Sequence, residues 1–167
     1  MIIVETGEGL EDSNSLLSIE ESDGIANRLL LDPDLWINDP NKERLLMRGT
    51  LYLDSTIRWV SVPLKDNQAL EWPRKEFMDF YGRTVGGESI PEALKEAVLA
   101  VAFTEATREE GTMFESVPAI KSERYNKTSV TYATPQEKDE GQASLFIQRL
   151  RLLGYARGAA NFRFGRA

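Results

Sequence analysis

Residues 89–111, SIPEALKEAVLAVAFTEATREEG, carry the clearest helix signal in the chain. Ser89 and Glu92 have the spacing of a capping box, in which each side chain accepts a hydrogen bond from the other residue's backbone N–H. The apolar residues that follow recur every three or four positions, as on one face of a helix: Leu94, Ala97, Val98, Val101, Ala102 and Ala106. We therefore predict a helix over 90–110 that is closed by Gly111.

Three further helices are predicted over 18–31, 40–55 and 141–153. Ser18 is a good N-cap residue, and acidic residues follow it where the positive end of the helix dipole favours them. Asp39 and Pro40 are typical of an N-cap and a first helical position, because proline has no N–H to leave unpaired there. Gly154 is placed to end the last helix.

The segments between these helices are rich in proline, glycine and aromatic residues. Residues 58–87 read as a long ordered loop, and loops of this length are usually functional or lie along a partner. Residues 120–124 and 129–132 are predicted to pair as a hairpin across Tyr125-Asn126-Lys127, because Ser129-Val130-Thr131-Tyr132 alternates and is rich in β-branched residues.

The predicted fold class is mainly α: a small helical bundle with a long loop, a short β-hairpin or extended arm, and an extended C-terminal tail. We divide the chain into an acidic N-terminal segment (1–17), a helical core domain with a tryptophan-containing loop (18–115), a hairpin or extended arm (116–140), a C-terminal helix (141–154) and a basic aromatic docking tail (155–167).

Composition excludes several function classes. The 167 residues include no cysteine and no histidine, which removes thiolate nucleophiles, imidazole bases and nearly every zinc site. Carboxylates are abundant, but no spacing among them is typical of a metal or catalytic site. The longest apolar run, Ala97 to Phe103, is far too short to cross a bilayer. We expect no enzyme activity, no cofactor, no metal and no membrane-spanning segment.

Charge is divided between the two ends of the chain, whose net charge is −7. Residues 1–23 contain seven acids and no base, whereas residues 141–167 contain five arginines and no acid. The tail residues with a predicted docking role are Tyr155, Arg157, Phe162, Arg163, Phe164 and Arg166. Phenylalanine and arginine are typical of protein interfaces. The alternative is single-stranded DNA binding, in which Arg149, Arg151 and the tail arginines would contact phosphates. The rings that would stack on bases are Phe146, Tyr155, Phe162 and Phe164.

Several strings of sequence resemble one known family. They are Ser15-Leu-Leu-Ser-Ile-Glu-Glu21, Thr50-Leu-Tyr-Leu-Asp54, Gln68-Ala-Leu-Glu-Trp-Pro-Arg74 and Ile90-Pro-Glu-Ala-Leu-Lys-Glu-Ala97. In this order they resemble the head–tail connector (adaptor or head-completion) family of tailed bacteriophages, whose similar members are often labelled DnaT-like single-stranded DNA-binding proteins. This chain departs from the family's pattern at Arg58–Pro63, where a Trp-Arg-Gly sequence is common.

The resemblance implies a structural role in the virion. We expect a ring, commonly of twelve copies, that joins the portal protein to tail or tail-completion proteins in the neck, after assembly in the host cytoplasm. Genomic DNA would pass through the channel without specific binding. For Trp72, Pro73 and Arg74, the preferred interpretation is structural: an indole covering the helix bundle beside a stiff turn.

Overall fold

The computed structural model describes residues 1–107, 123–125, 128–130 and 142–157. Within these ranges the chain forms five helices and two antiparallel strand pairs. The helices are α1 (Ile19–Leu29), α2 (Asp34–Ile37), α3 (Lys42–Thr56), α4 (Glu92–Ala106) and α5 (Gln142–Leu152). The strands are β1 (Phe77–Met78), β2 (Thr84–Val85), β3 (Glu123–Tyr125) and β4 (Thr128–Val130). The expectation of a mainly α fold is confirmed, and the extended tail beyond residue 157 lies outside the described residues.

Helix α4 lies at the centre of the fold, between α3 and α5, and α1 also packs against it. It buries nine of its fifteen residues. Its predicted apolar stripe is therefore only part of its buried surface, since Leu99 and Ala100 are covered as well. Burying most sides of one helix requires close neighbours, and Gly49 of α3 allows a close approach to α4. A Cβ atom at Gly49 would lie 2.8 Å from the Val98 carbonyl oxygen of α4.

The capping box predicted at Ser89 and Glu92 is wrong. Helix α4 starts at Glu92 after an extended Pro91, and the Ser89 hydroxyl donates to the Gly86 carbonyl oxygen instead (2.9 Å). The helix starts later than predicted because Ile90 precedes Pro91, and a residue before proline is disfavoured in the helical region of backbone conformation. Gly111, predicted to close this helix, lies outside the described residues.

Helix α1 does have a complete capping box. The Ser18 hydroxyl accepts a hydrogen bond from the Glu21 N–H, and the Glu21 carboxylate accepts one from the Ser18 N–H, both at 3.1 Å. The predicted N-cap is therefore confirmed. Helix α3 begins two residues later than predicted, at Lys42, because Asp39 folds back to accept the Asn41 N–H (2.7 Å).

The sequence analysis missed the short helix α2, whose Trp36 is fully buried. Its indole N–H donates to the Ser22 hydroxyl of α1 (3.2 Å). This contact holds α2 against α1. Four residues are too few to show a helical period, so the sequence carried no periodic signal for α2.

The acidic N-terminal segment folds back against the helices. Leu16 and Leu17 are fully buried, and the carboxylate of Glu5 is buried as well. That carboxylate accepts hydrogen bonds at 2.8–3.0 Å from three backbone N–H groups and one hydroxyl, those of Gly7, Gly9, Leu10 and Ser13. One of the seven acids therefore organises a turn inside the fold and adds little to the surface charge.

Both strand pairs are short antiparallel hairpins. β3 pairs with β4 through Glu123 and Val130 and through Tyr125 and Thr128, which confirms a hairpin here, but Tyr125, predicted to lie in the turn, is the last residue of β3. β1 pairs with β2 through Phe77 and Val85 and through Met78 and Thr84. The sequence analysis assigned this second hairpin to the long loop, because two-residue strands show no alternation. The residues that link β1 to β2 form its tip.

The close contact at Gly49 yields a first prediction. Gly49→Ala should lower the free energy of unfolding by about 1–3 kcal/mol, since the added methyl forces α3 away from α4. Gly24→Ala is the matched control, because nothing lies within 4 Å of a Cβ atom at this exposed position in α1. It should stabilise the protein by about 0.5–1 kcal/mol through helix propensity. Urea denaturation measures both, and equal effects would contradict the proposed packing of α3 on α4.

Candidate nucleic-acid interface

Four aromatic rings, three of them buried and one partly buried, form a cluster beside α5. Trp72 is fully buried, with Trp59 edge-on at 5.7 Å, Phe77 at 6.2 Å and Tyr155 at 6.3 Å between ring centroids. Tyr155 and Phe77 also meet edge to face at 6.1 Å. Edge-to-face pairs are favourable beyond the area that they bury. The cluster therefore fixes the start of the long loop, the hairpin β1–β2 and the end of α5 relative to one another.

Residues 153–157 join two distant parts of the chain through backbone hydrogen bonds. The Phe80 N–H donates to the Leu153 carbonyl oxygen (3.2 Å), which attaches the β1–β2 tip. On the other side, the Val60 N–H donates to Tyr155 O (3.0 Å), and the Arg157 N–H donates to Arg58 O (2.6 Å). This segment positions both the hairpin and the strand-like residues 58–60.

Gly154 permits the close contact of this segment with the tip. Its φ of +82° is in the left-handed region, and a Cβ atom there would lie 3.2 Å from the Phe80 ring. A larger residue would be strained and would push against the ring. Gly154 therefore ends α5, as predicted, and leaves space for the Phe80 ring.

Asp79 organises the hairpin tip. Its buried carboxylate accepts hydrogen bonds from the Tyr81 N–H and the Arg83 N–H, both at 2.9 Å, and from Arg83 Nε at 2.8 Å. Burial alone would raise the pKa of Asp79, but the hydrogen bonds from Arg83 and Tyr81 outweigh it, so the pKa lies below its usual value of 3.8. The carboxylate therefore remains charged at neutral pH and holds the tip closed.

The tip presents two large aromatic side chains to solvent. Phe80 is 75% exposed and Tyr81 is 72% exposed. The guanidinium of Arg83 lies over the Tyr81 ring, 5.3 Å from its centroid, a favourable cation–π contact. Rings this exposed bury little apolar surface and add little to the stability of the isolated chain.

Arg58 and Arg157 stand directly opposite each other. Trp59 and Ala156 form an antiparallel bridge and point inward, so the next pair, Arg58 and Arg157, are cross-strand neighbours that are both exposed. Like charges in this arrangement repel each other. Among the described residues, neither guanidinium has a carboxylate partner. An anion between them would relieve the repulsion.

Arg149 adds a further positive charge beside Tyr155. Its guanidinium binds the largely buried carboxylate of Glu96 and still exposes half of its side chain. We define the arginine–aromatic surface as the residues gathered around segment 153–157: Arg58, Phe80, Tyr81, Arg83, Arg149 and Arg157. Arg151 is exposed on the same helix, outside this defined set.

The motif Trp72-Pro73-Arg74 lies beneath this surface. Pro73 follows a cis peptide bond and is buried together with its neighbours. The Arg74 guanidinium donates to the carbonyl oxygens of Val60, Ser61 and Glu71 and pairs with the Glu71 carboxylate, at 2.7–2.8 Å. With its donors occupied in this way, Arg74 supports the loop and is not available to a ligand.

The predicted docking residues fall into three groups. Tyr155 is buried in the aromatic cluster, so its ring is inaccessible to a partner. Arg157 is exposed in the arginine–aromatic surface. The other four, Phe162, Arg163, Phe164 and Arg166, lie outside the described residues, and a docking role for them stays a prediction.

The sequence analysis missed the exposed aromatic residues of this site. It considered Phe146 and Tyr155 as stacking residues, but Phe146 packs against the core and Tyr155 is buried. The signal lay in Met78-Asp79-Phe80-Tyr81-Gly82-Arg83, where large apolar residues flank a turn-forming aspartate and glycine. Such a string is typical of an ordered tip that exposes its side chains.

Comparison with known proteins places the chain in one family. The family model described as "Putative DnaT-like ssDNA binding protein" matches residues 1–167. The chain belongs to this family. No curated protein and no solved structure matches it significantly.

The family match corrects the connector resemblance, since the family found over the whole chain is not a head–tail connector family. The expected virion role was therefore wrong, as were the expected ring of twelve copies, the portal and tail partners, and the channel in which DNA is not bound. The match supports the alternative, single-stranded DNA binding. Location in the virion neck is untested and stays a prediction.

Two other features were searched for within the described ranges. No group of three or more acidic side chains there is arranged to hold a metal ion. None of the helices found in those ranges is both long and apolar enough to cross a membrane.

The hydrogen bonds that Asp79 accepts in the hairpin tip yield a second prediction. Asp79→Asn removes the charged acceptor from Arg83, so the amide hydrogens of Tyr81 and Arg83 should exchange at least about tenfold faster. Because the pKa of Asp79 is lowered, the hydrogen bonds to its carboxylate in the unmodified protein should persist as the pH falls to 3.8 and be lost only below it. Hydrogen exchange followed by NMR measures both effects.

Glu76→Gln is the control for this experiment, because it removes an exposed carboxylate just before the same hairpin. It should leave both exchange rates unchanged. Equal acceleration by the two variants would show that the Asp79 hydrogen bonds do not hold the tip.

Proposed function

We propose that the protein binds single-stranded DNA through the arginine–aromatic surface. The observation that carries the proposal is the exposed pair Phe80 and Tyr81, whose backbone N–H groups donate to Leu153 O and to Asp79, on a surface that also includes the exposed Arg58 and Arg157. Membership of a family described as DnaT-like and ssDNA binding supports it. The role is one of binding, and we assign the protein no reaction.

The exposed rings suit the recognition of unpaired bases. Every base has a flat π-face, so an exposed phenyl or phenol ring can stack on a base of any sequence. In a duplex these faces are covered by neighbouring base pairs, whereas in a single strand they are accessible. A projecting tip with two aromatic side chains therefore favours single strands over duplexes.

The arginine pair suits the phosphate backbone. Arg58 and Arg157 repel each other in the free protein, and a phosphate bound between them would place one negative charge against both guanidinium groups and relieve that repulsion. Segment 153–157 spans at most about 13 Å from the tip to this pair. The backbone distance between the tip and the arginine pair is therefore within the length of a short oligonucleotide.

The net charge of −7 does not oppose this assignment, because binding depends on the local charge. The surface carries four arginines, and two of them pair with buried carboxylates, Arg83 with Asp79 and Arg149 with Glu96. The local balance is therefore positive. Screening at physiological salt limits the repulsion from acids more than about 8 Å away.

Replacement of the tip rings tests the stacking contacts. Phe80→Ala and Tyr81→Ala should each weaken binding to dye-labelled oligothymidylate by roughly 5- to 150-fold, the loss of about 1–3 kcal/mol expected for one stacked base. Fluorescence anisotropy measures the dissociation constants. Leu35→Ala is the control, because it removes an exposed apolar side chain from α2, outside the surface. Equal weakening by all three variants would contradict the stacking assignment.

Replacement of the arginine pair tests the phosphate contacts. Arg58→Gln and Arg157→Gln should each weaken binding and lower the slope of log K against log salt by about 0.7, the value for one phosphate on a single strand. Arg44→Gln makes the same change in net charge at an exposed position on α3 and should leave the slope unchanged. A slope that falls equally in all three variants would show that net charge governs binding, and would overturn the assignment of this surface.

A further inference from the structure

Arg58 and Arg157 are held next to each other by buried neighbours. Arg58 lies between Ile57 and Trp59, which are both buried, and Arg157 follows the buried Ala156. The Arg157 N–H donates to the Arg58 carbonyl oxygen (2.6 Å), and the Cβ atoms of residues opposed in this way are about 5 Å apart. Separating the two backbone positions would break this packing, so the two positive charges stay adjacent.

The two guanidinium groups carry positive charges that the described part of the chain does not compensate. None of the ion pairs found there includes Arg58 or Arg157. Arg83, on the tip side of the arginine–aromatic surface, is by contrast paired with Asp79 at 2.7 Å. The Arg58–Arg157 pair therefore presents two positive charges at one place, and a ligand that matches the pair has to supply two negative charges.

The two kinds of phosphate in a nucleic acid differ in charge and in acceptor oxygens. A phosphodiester inside a strand carries one negative charge and has two non-bridging oxygens. A phosphomonoester at the end of a strand carries nearly two negative charges at pH 7 and has three such oxygens. Each guanidinium binds best as a two-pronged fork, so the pair offers two forks. The two oxygens of a diester match one fork, whereas the three oxygens of a monoester match both forks when these share one oxygen.

We propose that Arg58 and Arg157 together bind the terminal phosphomonoester of a single strand, so that the protein prefers strands with a phosphorylated end. This inference rests on the proposed function, because it names the class of DNA that the same surface selects. A dianionic phosphate neutralises both guanidinium groups, whereas a phosphodiester leaves one positive charge uncompensated. Charge balance and the number of acceptor oxygens therefore select the same ligand.

The distance between the pair and the tip suits a short strand. Segment 153–157 separates Arg157 from the backbone of the tip by at most about 13 Å. Stacked nucleotides rise about 3.4 Å each along one strand. About four nucleotides beyond the terminal phosphate are therefore enough to cover the backbone distance to Phe80 and Tyr81.

Oligothymidylates of about eight nucleotides that differ only in their end groups test the inference with the full chain. One set carries a phosphomonoester, its methyl ester or a hydroxyl group at the 5′ end, with a dye at the 3′ end. A second set carries the same groups at the 3′ end, because either end could supply the phosphate. The methyl ester is the matched control, since it keeps the phosphate but removes one charge and one non-bridging oxygen. Fluorescence anisotropy at pH 8, where the monoester is dianionic, gives the dissociation constants.

At one of the two ends, the phosphomonoester should bind at least about tenfold more tightly than the hydroxyl group, the effect of an added charge-assisted hydrogen bond. The methyl ester should lose most of this gain. Arg58→Gln and Arg157→Gln should each remove the preference, with helical content unchanged by circular dichroism. Arg44→Gln should keep it, because Arg44 is exposed on α3, outside the surface.

The outcomes separate this inference from the proposed function. Equal binding of the three end groups at both ends would overturn the inference and leave single-stranded DNA binding standing. Equal binding of the phosphomonoester and its methyl ester would also overturn it, because the second charge would then go unrecognised. Loss of the preference in Arg44→Gln to the same extent would overturn the assignment to the arginine pair. No binding of any oligonucleotide would overturn the inference and the proposed function together.

Discussion

The backbone hydrogen bonds of residues 153–157 are the constraint on which the rest of the candidate site depends. They attach the hairpin tip at Phe80 on one side and residues 58–60 on the other, more than seventy residues away in sequence. The buried rings of Trp72 and Tyr155 fill the space beneath. Without this segment the exposed rings and the arginine pair would have no fixed spacing.

The charge that each surface of this protein presents depends more on where the charged side chains lie than on the net charge. Several carboxylates are removed from the surface because they hold backbone N–H groups or arginines inside the fold, as Glu5 and Asp79 do. Arg58 and Arg157, by contrast, remain exposed and adjacent. An acidic protein can in this way present a positive surface to a phosphate backbone while the remaining acids keep the protein from binding polyanions indiscriminately.

The sequence predicted the elements whose signals are local and repeated. The period of α4, the cap at Ser18 and the hairpin β3–β4 all follow from a few neighbouring residues. The start of α4 was misplaced because Pro91 restricts Ile90, a local effect that the capping pattern obscured. The tip at Phe80 was missed because its order comes from Leu153 and Gly154, which no short window of sequence contains. The family resemblance was also wrong, because shared strings of sequence were assigned to the connector role.

The most direct test of the account is a map of the DNA-binding surface by NMR. Titration of the ¹⁵N-labelled protein with a short oligothymidylate should produce its largest shift changes, among the described residues, in the amides of 78–83, 153–157 and 58. A matched duplex should produce smaller changes at the same protein concentration. Shift changes concentrated elsewhere, or none at all at saturating oligonucleotide, would contradict the assignment of single-stranded DNA binding to this surface.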